Sequence, residues 1–96
     1  MKVINSPRRS GKTTHAIKTS AETGATIVTY NEVMARLTED QGKRLGYDIP
    51  KPISIIQYLN MKSKPPKNII IDELELVLSR IVGSRIELVT ITKEEE

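Results

Sequence analysis

Apolar residues fall along this chain in short β-branched bursts, separated by stretches with helical spacing, which is the pattern of alternating strands and helices. Val3 and Ile4 lie within a first short strand, Lys2 to Asn5. A helix from about Lys12 to Glu22 turns Ala16 and Ile17 inward, and Gly24 ends it. Ala25 to Tyr30 is a second strand, after which Asn31 caps a helix whose Val33, Met34 and Leu37 form an apolar stripe and whose stop is Gly46. Tyr47 to Pro52 is a turn-rich connection to a strand at Ile53 to Ile56, and Tyr58 and Leu59 begin a short helix. Asn68 to Ile71 is the most apolar strand. Leu74 to Ile81 is helical, Gly83 and Ser84 turn the chain, and Arg85 to Thr92 alternates as a final strand.

This order predicts an α/β fold, a three-layer sandwich with an about five-stranded, mostly parallel sheet and helices on both faces. Residues 1–92 make one domain, and residues 93–96, Lys93-Glu94-Glu95-Glu96, make a solvated acidic tail. Ligands of such sheets bind beyond the carboxyl ends of the strands. The segments after the first strand and after Ile71 therefore face one cleft.

Those two segments carry the candidate chemistry. Ser6-Pro7-Arg8-Arg9-Ser10-Gly11-Lys12-Thr13-Thr14 links a strand to a helix and ends on Gly-Lys-Thr. In a loop of the form Gly-x4-Gly-Lys-Ser/Thr, backbone N–H groups turn inward around phosphates, the lysine neutralises the β and γ charges, and the hydroxyl ligates Mg²⁺. Gly11, Lys12 and Thr13 fit these roles. Ser6 stands where the first glycine belongs, which removes backbone freedom at the loop entrance, although Pro7 pre-sets a turn there. At the other segment, Asp72 is placed to hold Mg²⁺ together with Thr13, and Glu73 to polarise an attacking water. The plainer reading is that both acids start the following helix, where negative charge favours the dipole.

Composition narrows the remaining classes. The chain has no cysteine, phenylalanine or tryptophan, so disulfides and cysteine-based zinc sites are excluded and Ile, Val and Leu must build the core. A single histidine, His15, does not make a metal site. No apolar run approaches the roughly 20 residues of a membrane span, which makes a cytoplasmic protein without a membrane partner the expectation. Formal charge is only +3, but Lys2, Arg8, Arg9, Lys12 and Lys18 all precede the first acid, Glu22, and gather positive potential at the loop. Lys62, Lys64 and Lys67 form a second basic segment that reads either as a contact to nucleic-acid phosphate or as a soluble connection. Tyr30, Tyr47 and Tyr58, the only aromatics, do not interleave with these lysines as a stacking platform would.

Ser6 to Thr14 resembles a Walker A loop, and Ile69-Ile70-Ile71-Asp72-Glu73 resembles a Walker B strand with the added glutamate of P-loop ATPases having a RecA-like core. Within that group the Pro-Arg-Arg-Ser-Gly-Lys-Thr loop is most similar to bacteriophage terminase large-subunit ATPase domains and helicase-like motors. The resemblance implies ATP and Mg²⁺ as cofactors and an ATPase in phage DNA packaging, replication or recombination. DNA, a second copy of the chain and a motor-complex subunit are the partners it suggests. It also implies that the final strand inserts between the strand before the loop and the Asp72 strand, with Thr90 or Thr92 sensing the γ-phosphate. Arg8 or Arg9 would then stabilise transition-state charge, unless both are solvated; Arg80 and Arg85 are alternatives that reach a neighbouring subunit's nucleotide. A nucleotide-gated binding module without hydrolysis and a small-molecule kinase are the rival readings. No adenine-recognition motif is visible.

Overall fold

The computed structural model describes residues 3–4 and 11–92. Four helices and three strands follow one another as α1 (Lys12–Thr23), β1 (Thr26–Thr29), α2 (Glu32–Arg44), β2 (Ile53–Ser54), α3 (Ile55–Leu59), β3 (Ile69–Ile71) and α4 (Leu74–Val82). All three strands are parallel, in the order β2-β1-β3. Central β1 is apolar on both faces, as a strand between two helical layers must be. Its Ile27 packs with Ala16 and Ile17 of α1, along with Tyr47, Ile49 and Ile70. The next residue, Val28, points the opposite way and packs with Ile55 of α3 and Val77 of α4. Helix α2 joins the Ile27 side, where Gly42 lets Ile49 and Ile17 approach its backbone.

The ends of the elements follow local chemistry. Asn31 accepts a 2.8 Å bond from the Met34 amide and starts α2. Gly24 and Gly83 end α1 and α4 in the left-handed conformation, each returning its N–H to a carbonyl of the last turn. Ser54 and Gln57 form a reciprocal capping box, so the chain turns helical at Ile55 and the strand expected over Ile53 to Ile56 shortens to two residues.

The five-stranded sheet is not what forms. Among the described residues the sheet has three strands, and this small chain falls short of a five-stranded P-loop core. Val3 and Ile4 carry no strand and are about half exposed; the rest of the expected first strand, Lys2 and Asn5, lies outside the described residues, as does the tail at 93–96. Arg85 to Thr92 also forms no strand, and Leu88 is 80% exposed. The segment's own pattern explains this. Ile86 and Leu88 point to one side of an extended chain, but Val89 and Ile91 point to the other, so no register buries all four on a single face. The insertion expected beside the Asp72 strand is absent too: the described neighbour of β3 is β1. With its outer edge unpaired, β3 leaves Ile71 41% exposed.

Two substitutions check this arrangement in urea denaturation. Ile27→Ala, at the fully buried centre, is expected to cost about 2–5 kcal/mol. Leu88→Ala is expected to stay within about 0.5 kcal/mol of the parent; a loss several times larger would show the Arg85–Thr92 segment to be packed.

Candidate phosphate site

Gly11 stands at the N-terminus of α1 with φ 85°, a left-handed conformation that glycine adopts without steric cost. Its carbonyl accepts from the His15 amide at 2.9 Å, so the first helical turn closes immediately after it. No side chain caps this end, which leaves the first amides of α1 facing the cleft with the positive end of the helix dipole behind them. Lys12 and Thr13 are the first helical residues, so their side chains project from this end.

Opposite them is the end of β3. The Asp72 amide still donates to the Val28 carbonyl at 3.1 Å, which extends the ladder by one residue and holds Asp72 at the sheet's carboxyl edge. Its carboxylate accepts a 3.0 Å hydrogen bond from the Thr13 hydroxyl, across 59 residues of sequence. Asp72 is only 9% exposed. Burial pushes its carboxyl above the ordinary aspartate value of 3.8; the Thr13 bond opposes this, the Glu73 charge adds to it, and Lys12 and a bond from the Glu73 backbone counteract it.

Glu73 begins α4 at φ 60°, ψ 64°, the one non-glycine residue with positive φ among the described residues. Only Asp72 and Glu73 separate β3 from α4, so the reversal has to be made within them. Such a conformation costs on the order of 1–3 kcal/mol and clusters at functional positions. The Glu73 side chain does not cap its own helix; it meets the Lys12 ammonium at 3.5 Å, with 38% and 24% of the two side chains exposed. At that exposure the pair adds little to stability, and an incoming anion can compete for the lysine.

These residues surround an open cleft of about 220 Å³, lined by Gly11, Lys12, Thr13, Thr14, Gln41 and Glu73. That is smaller than the roughly 300–1,000 Å³ of a complete small-molecule pocket and suits a polyphosphate. Gln41 had no sequence signal beyond its place three residues after buried Thr38 on α2. Its amide donates to the Thr14 hydroxyl at 3.2 Å, which ties α2 to the start of α1. Ser6, Pro7, Arg8, Arg9 and Ser10 lie outside the described residues. Thr90 and Thr92 are exposed and do not line the cleft, and Arg85 pairs in solvent with Glu87 at 3.7 Å. Arg80 lies at a different cleft.

No group of three or more His, Cys, Asp or Glu side chains suited to a metal occurs among the described residues. Thr13 and Asp72 nevertheless fit magnesium, which binds through one or two hard oxygen ligands of the protein together with substrate phosphates and water. No helix among the described residues is long and apolar enough to cross a membrane. Compared with protein-family models, curated proteins and solved structures, the chain matches none.

The raised Asp72 pKa has a signed consequence for stability in the absence of nucleotide and metal. The folded state holds this proton more tightly than the unfolded state, so the burial cost is full above the raised value and is relieved as pH falls through it towards 3.8. Asp72→Asn is therefore expected to raise the melting temperature at pH 7, with the advantage shrinking towards pH 4. Equal melting temperatures at pH 7 would contradict the buried, costly carboxylate.

Proposed function

We propose that this chain binds Mg-ATP at the start of α1 and hydrolyses it, in keeping with the DNA packaging, replication or recombination setting that the resemblance implies. The observation that carries the reading is the convergence of Lys12 and Thr13 on Asp72 and Glu73, with contacts of 3.5 and 3.0 Å. The first amides of α1 receive phosphate oxygens. Lys12 transfers from Glu73 to the β and γ charges, and Thr13 with Asp72 holds the metal. Bound magnesium bridges the phosphates and neutralises charge that develops during transfer. Once its carboxylate is freed from Lys12, Glu73 orients water and takes its proton.

A nucleotide-gated switch without turnover is the second reading. It is favoured by the same Lys12–Glu73 contact, because a carboxylate that stays on Lys12 does not serve as base. A phosphate-release assay with ATP and GTP separates the two.

Lys12→Ala is expected to abolish ATP binding in calorimetry; undiminished affinity would defeat the assignment. Glu73→Gln is expected to keep binding while lowering steady-state phosphate release on the order of a hundredfold or more. Equal turnover in variant and parent would remove Glu73 as the base.

A further inference from the structure

A second cleft, of about 490 Å³, opens over the carboxyl ends of β1 and β2 and shares no lining residue with the phosphate cleft. Its size falls within the range of small-molecule pockets, roughly 300–1,000 Å³. Tyr30 follows β1 directly and packs against the Val28, Ile55 and Val77 cluster, which fixes its ring at the cleft while leaving it half-buried. Arg36 enters from α2 and Arg80 from α4, two helices far apart in sequence; both are exposed. Neither arginine forms an ion pair among the described residues, and the one acid in the lining, Glu32, forms none either. Two guanidinium groups against one carboxylate leave a net positive cleft.

The polar groups beside them are planar amides. Gln57 spends its carbonyl oxygen on the Ser54 amide, so its NH₂ remains as a donor, and Asn60 lies at the end of α3. A guanidinium fork matches phosphate oxygens bidentately. An anchored aromatic ring gives a base a face to stack on, and amide groups meet its hydrogen-bonding edge. Asn60 also opens the connection that carries Lys62 and Lys64, so basic sequence continues from the cleft's rim.

From this juxtaposition we infer that the second cleft binds a nucleotide unit, with its phosphate on Arg36 and Arg80 and its base against Tyr30. The unit comes either from a single nucleic-acid strand or from a free nucleotide. The site does not depend on the ATP reading, because it uses none of the same residues.

The test uses the full chain and two probes, a fluorescein-labelled oligothymidylate of about 12 nucleotides followed by anisotropy, and thymidine monophosphate followed by calorimetry. Arg36→Ala/Arg80→Ala, confirmed folded by its melting curve, is expected to weaken the bound probe on the order of tenfold or more. Lys12→Ala is expected to leave it unchanged. Arg36→Lys/Arg80→Lys, which keeps the charge, is expected to recover part of the loss. If the strand is the source, the slope of log affinity against log salt also falls by about 1.4 in the alanine variant, from roughly 0.7 per phosphate contact. Oligothymidylate binding with this dependence assigns the strand; thymidine monophosphate binding with the same arginine dependence assigns the free nucleotide. Failure of both probes to bind the parent, or equal binding by parent and double alanine variant, overturns the inference. Loss of ATP binding in Lys12→Ala is read separately and bears only on the first cleft.

Discussion

One hydrogen bond organises the candidate site: the 3.0 Å contact from the Thr13 hydroxyl to the Asp72 carboxylate. It joins the first turn of α1 to the carboxyl end of β3, so the two segments with chemical potential face each other rather than lying at separate ends of the chain. The surrounding structure serves that contact. Ala16 and Ile17 fasten α1 to the sheet through Ile27, while the Asp72 amide stays on the β1 ladder through the Val28 carbonyl. Because both anchors are on rigid elements, Lys12 and Glu73, each adjacent to a partner of that bond, are also brought within contact.

The arrangement carries costs that a purely structural junction would avoid. Asp72 is buried enough that desolvation outweighs the help of Thr13 and Lys12, and Glu73 occupies a backbone conformation suited to glycine. An asparagine and a glycine would be cheaper residues at these positions. Adjacent acids at the end of an apolar strand, one desolvated and one strained, are what a site for a cation and a polyphosphate requires, since those ligands supply the missing positive charge and replace Glu73 on Lys12.

Much of this was legible in the sequence because it depends on local chemistry. Gly24 and Gly83 mark helix ends, Asn31 marks a start, and the run Ile69-Ile70-Ile71 before two acids marks a strand terminus facing a cleft. The failures have equally specific causes. Ser54-Ile55-Ile56-Gln57 reads as β-branched, yet its reciprocal cap makes it helical from Ile55. Arg85 to Thr92 reads as alternating only until its phase slips between Leu88 and Val89, and the five-stranded sheet fails there and at Val3 and Ile4. Gln41 and the grouping of Tyr30, Arg36 and Arg80 were invisible, because residues on different elements meet only through the packing of α2, α3 and α4 around β1 and β2. Tyrosines that do not interleave with basic residues along the chain can still meet them in space.

The most direct measurement is a crystal structure of the protein with magnesium and a non-hydrolysable ATP analogue. The account predicts the phosphates against the first amides of α1, Lys12 moved from Glu73 onto them, and the metal beside the Thr13 hydroxyl with Asp72 behind it. An analogue bound elsewhere, with Lys12 still on Glu73 and no metal near Thr13, would contradict it.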